Sequence, residues 1–87
     1  MYYVYLLMND AGSTYIGYTK DLKRRMTEHS QGDGYTRKGS NWRLCYYEAF
    51  VSQKDAVRRE RALKQSPQAR RWLRERIKDS LNLCGKG

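Results

Sequence analysis

Five polar side chains in this sequence have the types that hydrolysis of a phosphodiester requires. They are two tyrosines in strand-like segments, an arginine and a histidine further on, and a lone glutamate: Tyr5, Tyr15, Arg25, His29 and Glu60. An arginine can offset the charge that develops on phosphate oxygens when water attacks. A single carboxylate suits Mg²⁺ or Mn²⁺, because such ions keep most of their waters and take a ligand from substrate phosphate. The set predicts a nuclease-type domain that uses one divalent ion.

The two tyrosines lie in segments typical of β-strands. Residues 3–7 and 13–17 are rich in aromatic and β-branched side chains, and turn-forming residues separate them. A hairpin is therefore predicted. Because side chains alternate along a strand, Tyr3 and Tyr5 share one face while Val4 lies on the other. One face can pack in a core while the other forms a site.

Arg25 and His29 lie on a predicted helix. Either Thr19 or Asp21 can cap a helix over residues 22–30. Because they are four residues apart, Arg25 and His29 form a polar stripe on one side of that helix. We expect this stripe and the two tyrosines to line one cleft.

A third strand is predicted over residues 42–50, after a helix-breaking segment at 31–34 and a basic loop at 35–41. Simple alternation divides this strand into two faces, with Leu44, Tyr46 and Glu48 on one and Arg43, Cys45, Tyr47 and Ala49 on the other. Two further helices follow, so the predicted order of elements is ββαβαα.

Glu60 lies on the packing face of the next predicted helix. A capping box at Ser52 and Asp55 begins this helix, which ends near Lys64. Its apolar stripe surrounds the glutamate and consists of Ala56, Val57 and Leu63. An unpaired carboxylate in such a place is destabilising, by an amount on the order of several kcal/mol, unless it is solvated or bound to a cation. Conflicts of this kind occur preferentially at functional sites.

Alternative interpretations of these residues stay open at the sequence level. Glu60 is either a metal ligand or a partner in a structural ion pair with Arg24, Arg25 or Lys64. Arg25 could also be solvated beside Arg24, and His29 could be a helix-end histidine favoured by the helix dipole.

The last predicted helix begins at Ser66-Pro67, with serine as the N-cap and proline at the first helical position. Its apolar edge consists of Trp72, Leu73 and Ile77. A single domain is predicted over residues 1–81, and residues 82–87 are expected to fray.

Composition indicates a polyanionic partner. The 87 residues include 18 Lys and Arg against 9 Asp and Glu, for a formal net charge of +9. Such a field favours nucleic acid or an anionic membrane surface, and the interleaved aromatic residues favour nucleic acid. The side chains expected to bind it are Tyr18, Arg24, Arg37, Lys38, Lys64, Arg70, Arg71 and Arg74.

The sequence has no apolar run of membrane-spanning length and no signal-peptide pattern at its start, so a cytoplasmic location is predicted. Cys45 and Cys84 lie far apart without a CxxC motif or neighbouring histidines. That spacing supports neither a zinc site nor a redox pair, and both cysteines are predicted to be free thiols.

Residues 2–64 resemble the GIY-YIG nuclease superfamily, and most closely its small single-domain UPF0213 members. The resemblance rests on five elements in the family's order: YVYLL, YIGYT, LKRRMTEH, the G-x-G-Y-T-R loop and RERALK. It implies an α+β fold in which a small three-stranded antiparallel sheet is flanked by helices. It also implies metal-dependent hydrolysis of phosphodiester bonds in nucleic acid.

The resemblance implies a role for each matching residue. Tyr5 and Tyr15 match the paired tyrosines of the motif, and Tyr15 corresponds to the one that activates or orients the attacking water. Arg25 matches the arginine that stabilises the phosphate, and His29 falls near the scissile group. Glu60 matches the glutamate that binds the divalent metal.

The sequence departs from the family pattern at two positions. Tyr3 stands where the motif has glycine, and Tyr18 stands where some family nucleases have a lysine. The sequence is therefore also compatible with a catalytically silent nucleic-acid-binding domain, or with a small basic protein that binds RNA within a larger assembly. Glu60 favours catalysis among these, because a binder has no reason to keep an acid where phosphates approach.

Overall fold

The computed structural model describes residues 1–30 and 41–85. Its elements along the chain are β1 Tyr2–Met8, β2 Thr14–Thr19, α1 Leu22–Ser30, β3 Arg43–Phe50, α2 Gln53–Gln65, α3 Pro67–Arg76 and α4 Lys78–Gly85. The predicted order ββαβαα is confirmed, with α4 added at its end. Of the predicted basic loop, residues 35–40 lie outside the described residues.

The three strands form one antiparallel sheet in the order β2-β1-β3, so β1 is the central strand. Tyr5 in the middle of β1 pairs with Gly17 on one side and with Tyr47 on the other. The predicted α+β class and the three-stranded antiparallel sheet are confirmed.

One face of the sheet packs against the helices that follow β3, and we call it the helical face. Its hydrophobic core joins strand residues to residues of α2, α3 and the link to α4: Val4, Leu6, Ile16, Ala56, Leu63, Leu73 and Ile77. Burying one large aliphatic side chain of this kind contributes about 1.5–3 kcal/mol to folding. The fold therefore depends chiefly on this face.

The other face of the sheet carries the odd-numbered residues of β1, and we call it the α1 face. Tyr5 and Leu7 are both 1% exposed there, although neither belongs to the core of the helical face. Helix α1 approaches this face, because Arg25 and His29 both reach the Tyr5 hydroxyl. Strand alternation thus separates a packed face from a face with polar contacts.

Strand β3 contains an irregularity that the alternating pattern did not predict. Leu6 pairs with Tyr46 and Leu7 with Leu44, so Cys45 is an extra residue in the ladder. Cys45 and Tyr46 consequently both pack against the core of the helical face. The predicted grouping of Leu44 with Tyr46, and of Cys45 with Tyr47, is wrong for this reason.

The predicted helix caps are confirmed. Asp21 Oδ1 accepts a hydrogen bond from Arg24 N at 3.1 Å at the start of α1. Ser52 and Ser66 are the N-caps of α2 and α3, and each hydroxyl accepts a hydrogen bond from the backbone N–H three residues on. These local contacts satisfy donors that the first helical turn leaves without an intrahelical partner.

The C-terminal region differs from its prediction at Trp72. This residue was expected on the apolar edge of α3, but it is 65% exposed, whereas Leu73 and Ile77 are buried as predicted. Helix α4 extends through Gly85, and the fraying expected for residues 82–87 stays a prediction. Within the described part of the chain, no helix has the length and apolar character needed to cross a membrane. The cytoplasmic location and the domain bounds stay predictions.

Cys45 and Cys84 form a disulfide, so the prediction of two free thiols is wrong. The bond joins β3 to α4 across 39 residues of sequence. Arg43 Nε also donates to the Cys84 carbonyl oxygen at 2.9 Å, which ties the same two elements together. A link of this kind restricts the unfolded chain, and it explains in part why the last helix is held against the sheet.

Candidate active site

The Tyr5 hydroxyl is the centre of a buried polar cluster on the α1 face. It lies 2.8 Å from His29 Nε2 and 3.3 Å from Arg25 Nε, and His29 is itself only 5% exposed. An arginine Nε–H can only donate, so the Tyr5 oxygen accepts from Arg25. The phenol proton is then available for a neutral Nε2 of His29. In this arrangement each of the three polar groups has a partner.

Gly17 permits the position of the Tyr5 ring. The two residues are directly paired across β1 and β2, and a Cβ atom at Gly17 would overlap the Tyr5 hydroxyl and the adjoining ring carbon. Both residues are buried, and close packing leaves the ring little room to shift. The glycine of the Tyr15-Ile16-Gly17 motif is therefore needed for close packing of Tyr5, and not for an unusual backbone angle.

Burial raises the pKa of Tyr5 above its ordinary value, and the hydrogen bond from Arg25 opposes this shift only in part. The charge on Glu60 also raises it. Tyr5 is therefore a neutral phenol at physiological pH. It can hold His29 and Arg25 in place, but it is not poised to take a proton from water.

Arg25 is fixed by a second contact, to Glu28. Its Nη1 atom lies 2.7 Å from Glu28 Oε1, while Arg24 Nε lies 3.3 Å from the other carboxylate oxygen. The alternative that Arg25 is merely solvated beside Arg24 is therefore wrong. Sequence reasoning missed Glu28, although its spacing of three and four residues from the two arginines is typical of helical ion pairs.

Tyr15 lies beside this cluster and is partly exposed. Its ring centroid is 6.3 Å from that of Tyr5, 5.4 Å from that of His29 and 6.4 Å from that of Trp42. These edge and tilted contacts orient the ring. Since Tyr5 is buried and Tyr15 is not, Tyr15 is the tyrosine of the pair that solvent and substrate can reach.

Glu60 and Lys64 approach the cluster from α2, across the edge strand β2. Lys64 Nζ is 3.1 Å from Glu60 Oε2 and 5.9 Å from the centroid of the Tyr15 ring. The Glu60 side chain is 23% exposed, so it lies at the border of the packed stripe and not within it. The predicted conflict is thus resolved by an ion pair and by access to water. Of the three arginine and lysine partners considered, Lys64 is the one observed.

The opposite side of α2 carries a separate polar group that sequence reasoning missed. Arg59 donates to both carboxylate oxygens of Glu48 on β3, with Nη2 2.9 Å from Oε2, and the Tyr46 hydroxyl donates to the same carboxylate at 2.7 Å. Burial, together with the Glu48 carboxylate, raises the pKa of Tyr46 to about 12. This group anchors α2 to β3. Lys64, in contrast, lies over the ring of Tyr15 on β2.

The structure therefore brings Tyr5, Tyr15, Arg25 and His29 together on one face of the sheet, as their spacing predicted. Glu60 lies close enough for its charge to act on Tyr5. Their assignments as catalytic residues stay predictions, because an arrangement of side chains does not by itself demonstrate a reaction.

The residues expected to bind nucleic acid divide into two groups. Arg24, Lys64, Arg71 and Arg74 have exposed side chains, and Arg74 Nη2 also lies 3.4 Å from Thr14 Oγ1 on β2. Arg24 and Lys64 border the tyrosine cluster through their ion pairs with Glu28 and Glu60. A phosphate near the cluster would thus meet positive charge from both α1 and α2.

Two other members of that set have structural contacts. Tyr18 packs against the core of the helical face, so its ring is not presented on the α1 face. Arg70 Nη1 donates to the carbonyl oxygens of Leu63 and Lys64, at 2.9 and 2.8 Å, and so satisfies the C-terminal end of α2. Arg37 and Lys38 lie outside the described residues.

A metal site built only from protein ligands is not present in residues 1–30 and 41–85, where no group of three or more His, Cys, Asp or Glu side chains could hold an ion. Two carboxylates lie near the tyrosine cluster and are partly open to water: Glu28, which is bonded to Arg24 and Arg25, and Glu60, whose partner is Lys64. Mg²⁺ needs no more than one or two carboxylates when water and phosphate supply its other ligands. Glu60 fits such an ion.

Comparison with known proteins agrees with the geometry of this site. The family model for the GIY-YIG catalytic domain matches residues 1–75. A UPF0213 protein of Halobacterium salinarum is 41% identical over 73 residues, which cover 82% of this chain and 95% of that protein. A UPF0213 protein of Streptococcus agalactiae is 45% identical over 65 residues, covering 72% and 74% of the two chains.

A solved structure supports the same assignment. The solution NMR structure of a UPF0213 protein from Bacillus halodurans superimposes with a TM-score of 0.54 at 39% sequence identity, covering 84% of this chain and 82% of that one. The match thus extends over most of both chains. The chain therefore belongs to the GIY-YIG family of nuclease domains, within its UPF0213 group.

Proposed function

We propose that this protein is an endonuclease that hydrolyses phosphodiester bonds in nucleic acid, with DNA as the expected substrate and Mg²⁺ or Mn²⁺ as cofactor. The observation that carries the proposal is the cluster of Tyr5, His29 and Arg25, joined by hydrogen bonds beside the accessible Tyr15. The cluster holds an oriented guanidinium near an accessible phenol, and attack of water on a phosphodiester needs both charge stabilisation and positioning.

Arg25 is the residue that binds the reacting phosphate in this proposal. Its side chain is 26% exposed, and Tyr5 and Glu28 hold its Nε and Nη1 atoms. A donor that is already oriented loses little entropy when it meets the substrate. Arg25 thus stabilises the negative charge that builds on the non-bridging oxygens as water attacks.

Tyr15 orients the attacking water, and the buried ring of Tyr5 packs against the Tyr15 ring. Tyr15 is accessible, whereas Tyr5 is buried with a raised pKa and both of its neighbours engaged. His29 contacts both rings and holds the Tyr5 hydroxyl, so it acts as a positioning residue. The ammonium of Lys64 adds positive charge above the Tyr15 ring.

Glu60 would hold the divalent ion. Such an ion supplies Lewis-acid stabilisation of charge on phosphoryl oxygens. For this role the Glu60 carboxylate must exchange Lys64 for the metal. The exchange costs little, because an ion pair that is open to solvent contributes only about 0–1 kcal/mol to stability. Low sequence specificity is expected, because the described residues contain no recognisable base-reading motif.

A nucleic-acid-binding domain without activity is the second candidate. The observation that favours it is the 3.1 Å contact between Lys64 and Glu60, which gives the acid a partner that does not require a metal. Both candidates predict binding that weakens steeply with salt, because the net charge is +9. Cleavage separates them.

The test is a cleavage assay on single-stranded, duplex and branched DNA and on RNA, with and without Mg²⁺ or Mn²⁺. We expect divalent-dependent cleavage of at least one substrate by the wild type. Arg25→Gln should lower kcat roughly 10²- to 10³-fold, as loss of an oriented donor to the transition state does. Arg58→Gln is a matched control on an exposed arginine of α2 that pairs only with Asp55 among the described residues, and its rate should not change. Absence of cleavage of every substrate with either ion would refute the proposed activity.

A further inference from the structure

Trp72 occupies an unusual position on α3. Its side chain is 65% exposed, although the next residue, Leu73, is 3% exposed and lies in the core of the helical face. An indole ring has a large apolar area, and leaving most of it in water forgoes a considerable contribution to stability. A single exposed apolar residue carries no functional meaning alone. Its surroundings decide the matter.

A small pocket lies against this ring. It has a volume of about 250 Å³ and is lined by Arg59, Ala69, Trp72, Leu73 and Arg76. Four of these residues are spaced at three- and four-residue intervals and therefore share one side of α3. Arg59 completes the pocket from α2. Trp72 thus lines a pocket that two arginines also line.

The two arginines differ in whether a carboxylate of the protein already binds their guanidinium group. Arg59 is held by Glu48 through contacts of 2.9–3.1 Å, and this partner offsets its charge and raises its pKa. Arg76 is exposed and makes no ion pair with any residue in the ranges 1–30 and 41–85. A bound anion would therefore be attracted chiefly by Arg76, with Arg59 as a fixed donor group beside it.

The lining selects a chemical class of ligand. A flat aromatic wall favours a planar ring, and a guanidinium without a partner favours a phosphate or carboxylate. The pocket is smaller than the ~300–1,000 Å³ of sites for drug-sized molecules, so it fits one planar ring better than a folded segment of protein. A planar ring joined to a phosphate is a nucleotide, and stacking on aromatic side chains is the usual mode for unpaired bases.

We propose that this pocket is a second contact site for nucleic acid, in which an unpaired base stacks on Trp72 and its phosphate binds Arg76. The site lies on the helical side of the sheet, whereas the tyrosine cluster lies on the α1 face. It acts on binding and not on the chemical step. The choice of nucleic acid as ligand rests on the proposed function, but binding can be measured without cleavage.

The probe is a fluorescein-labelled oligothymidine of about 12 nucleotides in EDTA, where divalent-dependent hydrolysis is suppressed. Trp72→Ala should raise Kd roughly 5- to 150-fold, the range that loss of one stacked base gives. Trp72→Phe should recover most of the affinity, since a phenyl ring also stacks. Leu83→Ala is the matched control, because Leu83 is 71% exposed on α4 and lies outside the pocket. Its Kd should equal that of the wild type.

Two further readouts separate stacking from a general loss of charge. Oligothymidine should quench the tryptophan fluorescence of the wild type, and Trp72→Phe should remove most of this quenching. Arg76→Gln should reduce the slope of log K against log salt by about 0.7, as expected for one phosphate contact to a single strand. A blunt duplex has no unpaired base, so its affinity should depend on Trp72 much less than that of the single strand.

The outcomes distinguish this inference from the proposed nuclease function. If the wild type binds and cleaves, but Trp72→Ala binds oligothymidine as tightly as the wild type, the second site is refuted and the nuclease proposal stands. If Trp72→Ala loses affinity while the wild type cleaves nothing, the second site stands and the nuclease proposal fails. If the wild type does not bind oligothymidine at low salt, the second site is refuted, and the cleavage assay alone decides the nuclease proposal.

Discussion

The two faces of the sheet use neighbouring residues of the same strand for different purposes. On the helical face, Val4 and Leu6 meet Leu63 and other apolar side chains in the hydrophobic core. On the α1 face, Tyr5 is just as deeply buried, but its hydroxyl is bonded to His29 and approached by Arg25. Equal burial therefore does not mean equal function.

This difference shows how a chain of 87 residues can combine stability with a polar site. Hydrophobic burial, which contributes most of the folding free energy, is concentrated on the helical face. The α1 face can then keep buried polar groups, provided that each one is hydrogen-bonded. Changes on the helical face should alter stability, and changes on the α1 face should alter chemistry.

The largest expected loss of stability is for Leu63→Ala, on the helical face. Leu63 is 1% exposed, and truncation of such a side chain lowers the free energy of unfolding by about 2–5 kcal/mol. Chemical denaturation measures this loss. The cleavage rate per folded molecule should not change. A folded Leu63→Ala protein with a greatly reduced kcat would break the proposed separation of the two faces.

Loss of the disulfide should have the next largest effect. Cys45 packs on the helical face and its bond to Cys84 closes a segment of 39 residues, so replacement of both by serine should lower stability by about 2–4 kcal/mol. The double variant avoids a leftover thiol, and the wild type in reductant provides an independent comparison. An unchanged melting temperature in both cases would mean that other contacts hold α4.

Gly17→Ala probes the α1 face. The added methyl group overlaps the Tyr5 hydroxyl, and overpacking of this kind costs about 1–3 kcal/mol. Because Tyr5 must move, we also expect a loss of cleavage activity. Gly85→Ala is the matched control, since the nearest atom to its added Cβ is Met8 Sδ at 3.7 Å. Equal stability and activity for Gly17→Ala would show that the Tyr5 position is not tightly constrained.

The smallest expected effect concerns Tyr46 at alkaline pH. Its pKa is about 12 in the folded protein and about 10 when unfolded. A raised pKa contributes stability that is fully present below pH 10 and is lost as pH rises toward 12. The free energy of unfolding, measured by denaturation at several pH values between 9 and 11, should therefore fall less steeply with pH for Tyr46→Phe than for the wild type. Identical slopes would indicate that Tyr46 titrates normally.

Local contacts explain which features could be predicted from the sequence. The caps at Ser52 and Ser66 depend on residues within three positions, and they were found where predicted. The meeting of Tyr5, Arg25 and His29 required only strand alternation, helical spacing and the family resemblance. Glu60 was predicted within the packing face of α2, but it lies at the border of that face, and its observed partner Lys64 is four residues away.

Contacts between distant parts of the chain explain the failures. The extra residue Cys45 in β3 became visible only once β3 was paired with β1, and the disulfide needed the position of α4 as well. Trp72 has the same residue type and helical spacing as a core residue. Its exposure depends on how α3 packs against α2 and the sheet. The spacing of apolar residues on α3 alone does not predict that packing.

Glu60 lies at the border between the two faces, and Glu60→Gln is therefore the most direct test of the nuclease proposal. The variant keeps the size of the side chain but loses its charge, and stability should change by no more than about 1 kcal/mol, because its ion pair with Lys64 is partly exposed. Lys64→Gln breaks the same pair while leaving the carboxylate. Cleavage by that control should remain divalent-dependent at saturating nucleic acid.

The decisive measurement is divalent-dependent cleavage by purified Glu60→Gln, with its melting temperature and nucleic-acid affinity determined on the same sample. A folded variant that binds nucleic acid but no longer cleaves it is the result we predict. A variant that still cleaves with the wild-type dependence on Mg²⁺ would contradict the assignment of Glu60 as the metal ligand, whatever its stability.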